Sequence, residues 1–169
     1  LPVAADGTLQ VADVEKAIRD DTAIVSIMWA NNETGILFPV EEIASMCKKK
    51  GVLFHTDAVQ TPGKIDLRHV AKSDIDFLSM SGHKLHAPKG VGVLYVKKRT
   101  KIVPYVIGGG QERGKRGGTE NVASIVGLGR AAELALATLD DEQTRVRALR
   151  DRFEEALLKR LPNIYINGK

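Results

Sequence analysis

Ile75-Asp76-Phe77-Leu78-Ser79-Met80 runs into Ser81-Gly82-His83-Lys84, and after Pro88-Lys89-Gly90 the chain turns into Val91 to Val96. A short apolar run bounded by glycine and proline reads as a strand, and here it delivers a hydroxyl, an imidazole and an amine at its end. Two similar segments precede it, Ala23 to Trp29 and Val52 to Thr56. Between those two, Pro39 sits where a helix can start, Val40, Ile43, Ala44 and Cys47 share one face, and Gly51 stops the run. Strands alternating with helical patterns indicate α/β architecture, with loop chemistry gathered at strand ends.

Downstream, Asn121 to about Ala137 has a helical pattern, and Asp140 to Arg160 reads as a longer helix with Val146, Leu149, Phe153 and Leu157 on one face. Its acidic start and basic end suit the helix dipole. Ile164-Tyr165-Ile166-Asn167-Gly168-Lys169 reads as the beginning of another strand. There is no internal repeat, linker or low-complexity stretch.

The 169 residues are 43% hydrophobic and 27% charged, enough to build a core, and no apolar run approaches the roughly 20 residues that span a bilayer. A membrane role is therefore not expected. The chain opens on Leu1-Pro2-Val3 without the pattern of a signal peptide, so the natural N-terminus is expected upstream. A single cysteine, Cys47, forbids an internal disulfide and agrees with a reducing cytoplasm. The net charge of +4 is spread along the chain and selects no partner by itself.

Four features could carry chemistry. Gly108 to Thr119 concentrates glycines with Arg113, Lys115 and Arg116, which suits a phosphate or carboxylate ligand; the ordinary alternative is a solvated basic loop. Gly109 to Lys115 fits the opening of a P-loop, yet Arg116 stands where that motif needs Ser or Thr. Lys84 would be a surface charge in most settings, but at a strand end, burial would lower its pKa and make it a competent Schiff-base amine. Asp57, closing its strand, requires a cation or serves as a turn cap. His55, His83, His86 and Asp57 have short chelating spacings, but they lie on a strand and a loop with no complete ligand set, so no metal is expected.

Taken together, Asn31-Asn32-Glu33-Thr34-Gly35, His55-Thr56-Asp57-Ala58-Val59-Gln60, Ser81-Gly82-His83-Lys84 and Arg113 to Asn121 resemble the class V aminotransferase superfamily, and within it the NifS-type cysteine desulfurases. The resemblance runs through the whole chain in order. It implies pyridoxal 5'-phosphate as cofactor, carried by Lys84. Asp57 would pair with the pyridinium nitrogen, Gln60 with the phenolic oxygen, and Ser81 and His83 with the phosphate. Thr119 would reach the phosphate of a neighbouring subunit in a homodimer, and Asn32 would meet the phenolic oxygen and the substrate carboxylate. The family's sulfur-accepting cysteine and carboxylate-gripping arginine are expected beyond this chain, and Cys47 on a buried helix face is expected to be inert.

The fold expected is therefore a three-layer α/β/α PLP-dependent transferase large domain with a mostly parallel mixed sheet, present as a fragment. Residues 1–138 would form the C-terminal part of the cofactor-binding large domain, and 139–169 a connecting helix and the start of a small C-terminal domain. The implied reaction converts L-cysteine to L-alanine and passes sulfur, as an enzyme persulfide, to an iron-sulfur scaffold protein in the cytoplasm. A selenocysteine lyase or another class V aminotransferase would share these residues. From a different class, a non-catalytic module binding a phosphate group or nucleic acid through the Gly/Arg loop would leave Lys84 incidental.

Overall fold

The computed structural model describes residues 1–167. Helix α1 (Val11–Ala17) leads into strand β1 (Ile24–Met28), helix α2 (Val40–Lys49) and strand β2 (Leu53–Asp57). Strands β3 (Phe77–Ser81) and β4 (Gly92–Val96) follow, joined by a tight 3₁₀ turn over Gly82–Leu85. The sheet order is β1-β2-β3-β4, with the first three strands parallel and β4 antiparallel. This is the mixed, mostly parallel α/β sheet expected from the sequence, displaced by one or two residues at the strand ends.

Each parallel step needs a crossover, and α2 provides the one between β1 and β2. Its apolar stripe, Val40, Ile43, Ala44 and Cys47, is buried against Phe54, Ile75 and Leu78, with Val14 and Trp29 in the same cluster. Full burial of a side chain such as Phe54 or Ile43 contributes about 1.5–3 kcal/mol, so this contact layer holds the sheet together. The Oγ1 of Thr56 lies inside that layer without a hydrogen-bond partner among the described residues.

Side chains alternate across a sheet, and the alternation here separates a covered face from an open one. Phe54, Thr56 and Leu78 point into the core, whereas Ile24, Met28, Leu53 and Leu94 are exposed. The described residues thus furnish the sheet and the helical layer on one of its faces.

After β4, the Gly/Arg segment forms a small ribbon rather than a bare loop: β5 (Gly110–Gln111) pairs antiparallel with β6 (Arg116–Gly117). A Cβ on Gly117 would meet Ile107 and Gly108 backbone atoms within 2.8–3.0 Å, so only glycine lets these segments approach. Helix α3 (Val122–Ala137) starts at Asn121, whose side chain accepts a hydrogen bond from the Ser124 N–H. It packs on the 82–85 turn.

The final helical run consists of α4 (Leu139–Asp141), a π-helical turn over Glu142–Val146, and α5 (Arg147–Arg160), bent by 54° from α3. The stripe Val146, Leu149, Phe153 and Leu157 does not reach the core: Phe153 is 63% exposed and Leu157 only half-buried. Helical spacing is present, and Val146 lines a cleft with Leu37 and Ile65, but no residue of the stripe joins the buried core of the described residues. The terminal strand expected from Ile164 is absent over residues 164–167, where no neighbouring strand offers pairing, and Gly168 and Lys169 lie outside the described residues.

Candidate active site at the carboxyl ends of the parallel strands

Parallel strands point all their carboxyl ends to one edge, where α/β proteins collect their ligand-binding loops. The register Met28↔Asp57 and Asp57↔Ser79 brings the ends of β1, β2 and β3 side by side. Asn32 follows β1, Asp57 ends β2 with Gln60 just beyond it, and Ser81 ends β3 with His83 and Lys84 in the turn that follows. Residues up to 52 positions apart in sequence thus share one edge because three short strands run in the same direction.

Asn32 and Gln60 line a common cleft of about 450 Å³, with Lys64, Arg147 and Arg150 around them. Ser81 Oγ lies 2.8 Å from His83 Nδ1, so the hydroxyl and imidazole form a pair at the start of the turn. Gly82 between them is buried, and a Cβ there would meet the Val91 carbonyl oxygen at 2.9 Å. Glycine is required by that close approach. His86 ends the turn in the left-handed conformation at φ 62°, which returns the chain toward β4.

Lys84 is half-buried rather than enclosed. It lines a second cleft, of about 370 Å³, against Gly127, Arg130, Ala131 and Leu134 of α3. Lys64 and Glu142 line both clefts, and so connect the Lys84 side to the Asn32 side. Asp57 is exposed and belongs to the strand itself; its Oδ1 accepts a hydrogen bond from the Val59 N–H at 2.9 Å. That is the turn-capping contact, and no cation pairs with this carboxylate among the described residues. Thr119 stands exposed beyond β6, where no hydrogen bond joins it to the strand-end residues.

Two contacts were not legible in the sequence. His55 Nδ1 lies 2.7 Å from Ser26 Oγ, and its Nε2 lies 2.9 Å from Ser79 Oγ, so one imidazole ties β1, β2 and β3 together on the open face. Burial lowers the pKa of this ring below the ordinary 6.5, against a smaller opposing pull from Asp57. Both ring nitrogens of His55 are thus engaged by serines. Arg147 and Arg150 reach the Asn32 cleft from a distant helix, and no motif flagged them. Cys47 is fully buried, and burial, aided by the Asp76 charge, pushes its thiol pKa up.

The donor set suits a phosphorylated pyridine. A hydroxyl and imidazole beside a tight glycine turn can hold a phosphate, a carboxylate with one oxygen still available can face a ring nitrogen, and an amide can meet a phenolic oxygen. A mostly parallel sheet with this residue set at its carboxyl edge defines a class of transferases, and the chain belongs to the aminotransferase class-V family, whose model matches residues 1–169. Within that family it is 57% identical over 168 residues to a cysteine desulfurase of Gluconacetobacter diazotrophicus, covering 98% of this chain and 41% of the relative. It is 52% identical to the cysteine desulfurase NifS of Azotobacter vinelandii, covering 99% of this chain and 42% of that protein. A solved NifS-like protein superposes with a TM-score of 0.85 at 44% identity, covering 94% of this chain and 44% of the other. The chain therefore spans about two fifths of the length of these relatives.

Proposed function

We propose that the intact protein carrying this chain is a pyridoxal-phosphate-dependent cysteine desulfurase. It converts L-cysteine to L-alanine and hands the sulfur, as an enzyme persulfide, to an iron-sulfur scaffold protein in the cytoplasm. The observation that carries this reading is the Ser81 to His83 pair one residue before Lys84, beside the carboxyl end of the strand that bears Asp57. Relatives at 52–57% identity that are cysteine desulfurases support it.

In this reading the cofactor, when bound, supplies an electron sink for the substrate Cα. Ser81 and His83 hold its phosphate, and Gln60 donates to its phenolic oxygen. Asp57 keeps the ring nitrogen protonated through its available carboxylate oxygen. Lys84 holds the cofactor covalently through Nζ and afterwards moves the proton at Cα. Asn32, which shares a cleft with Gln60, orients the substrate carboxylate. Thr119 reaches the phosphate of a second subunit in a homodimer. Residues 1–138 belong to the cofactor-binding domain, and the helical run from 139 leads toward a smaller one.

Borohydride reduction of the intact protein followed by peptide mapping should find the cofactor on Lys84. A label on Lys89, or no label, would overturn the assignment. Asp57→Asn should retain the cofactor but lower kcat at least about a hundredfold, since an amide cannot hold the ring nitrogen protonated.

A further inference from the structure

We propose that Arg147 is a specificity residue for the substrate carboxylate, which its charge draws into the cleft of Asn32; this rests on the desulfurase reading above. The helical run from 139 is fastened over the turn after β2, where Gln143 Nε2 donates to the Lys64 carbonyl at 3.2 Å. That contact falls within the π-helical turn over Glu142–Val146, a rare winding that is frequent at functional sites. Arg147 opens α5 immediately after it and, with Arg150 three residues on, lines the cleft that holds Asn32 and Gln60. Leu37, Ile65 and Val146 give the same cleft an apolar wall.

The charges around this cleft do not cancel. The one carboxylate lining it among the described residues is Glu142, whose Oε1 lies 3.6 Å from Nη2 of Arg145. Arg150 is engaged by Asp151, with a Glu154 oxygen 3.9 Å away. Lys64 and Arg147 have no ion-pair partner among the described residues, so two cations stand beside the amides of Asn32 and Gln60 with nothing to balance them. A cleft lined by one sign of charge concentrates ligands of the other. Ser81 and His83, to which the desulfurase reading gives the cofactor phosphate, do not line this cleft, and the anion left for it is the carboxylate of the amino acid. Lys64 also lines the Lys84 cleft, whereas Arg147 lines this one alone, so Arg147 is the residue whose removal reports on substrate capture. It makes and breaks no bond, and its effect falls on binding and not on turnover.

The test uses the intact, cofactor-loaded protein. Arg147→Gln should raise KM for L-cysteine about fivefold at roughly 20 mM salt with kcat within about twofold, and the difference should shrink at roughly 300 mM as the charge is screened. Arg147→Lys, which keeps the charge, should stay within about twofold of wild type, as should Arg152→Gln, which removes a cation of the same helix that does not line the cleft. Binding followed by the change in cofactor absorbance supplies a second readout. L-Alanine, which carries the carboxylate without the sulfur, should bind Arg147→Gln about fivefold more weakly than wild type, whereas cysteamine, which has amine and sulfur but no carboxylate, should bind both alike. Unchanged KM in Arg147→Gln, an equal loss in Arg147→Lys or Arg152→Gln, or equal weakening of L-alanine and cysteamine would each overturn the proposal. Failure of the desulfurase reading would show differently, as wild-type protein that binds no cofactor and releases no sulfide.

Discussion

Single side chains in this chain behave according to what surrounds them more than by residue type. Cys47 is the one thiol, but a protonated sulfur at zero exposure on the inner face of α2 is neither nucleophile nor redox sensor. Cys47→Ser should therefore leave sulfide release by the intact protein within about twofold of wild type, while costing about 1–3 kcal/mol of stability for the buried hydroxyl. Measurement of both sulfide release and the urea midpoint separates the two effects. Thr56 presents the opposite case, since its Oγ1 is buried with no partner among the described residues. Thr56→Val replaces an unsatisfied hydroxyl by a methyl of the same shape, so the melting temperature should rise or stay unchanged, with a gain of up to about 1 kcal/mol. A clear fall would reveal a hydrogen bond at that oxygen. His55 gives the fold a pH dependence whose sign follows from burial. Well above pH 6.5 the ring is neutral both folded and unfolded; below it the unfolded chain takes up the proton first, so stability falls as pH drops from about 6.5 to the lowered native pKa and levels off beneath it. Urea midpoints between pH 8 and 5 should decline in wild type and decline less in His55→Phe.

At the level of elements, the turn over Gly82–Leu85 is the most tightly specified piece of backbone. It is gripped from one side by Val91 and from the other by α3, where a Cβ on Gly127 would meet Pro88 Cδ at 2.9 Å. Gly82→Ala pushes a methyl against the Val91 carbonyl, which as backbone cannot swing aside, so a cost of about 1–3 kcal/mol is expected. The same variant should lose cofactor occupancy, read as visible absorbance per subunit, because Ser81, His83 and Lys84 all ride on this turn. Loss of stability with full occupancy would show that the turn is structural only. At the other end of the contact, Asn121→Ala removes the cap of α3 and should cost about 1 kcal/mol in thermal unfolding.

For the molecule as a whole, the open face of the sheet dominates. Ile24, Met28, Leu53 and Leu94 project from it exposed, and Phe153 does the same from α5. Exposed apolar side chains in this number drive association, so the 169-residue chain expressed alone should sediment as concentration-dependent oligomers. Met28→Lys with Leu94→Lys should shift it toward monomer; a wild-type chain that stays monomeric at 100 times the lowest concentration tested would refute this.

Local sequence was enough for the α/β class, the four strands to within one or two residues, the buried stripe of α2 with Cys47 on it, and the start of α3 near Asn121. These follow from local periodicity and from glycine and proline punctuation, which are properties of contiguous residues. It also supplied the candidates at the strand ends, because strand ends are where such motifs must lie. Only the folded chain shows that Asn32 shares a cleft with Gln60, that Lys84 lines a separate one against α3, and that Asp57, left open between a cation and a turn cap, takes the cap. It alone placed Ser26 and Ser79 at the two nitrogens of His55. The apolar pattern of α5 could not reveal its own exposure, since a helical period states which residues share a face but not whether anything lies opposite. Register between strands and the packing of helices on them depend on which distant segments meet, and that information is carried by no single stretch of chain.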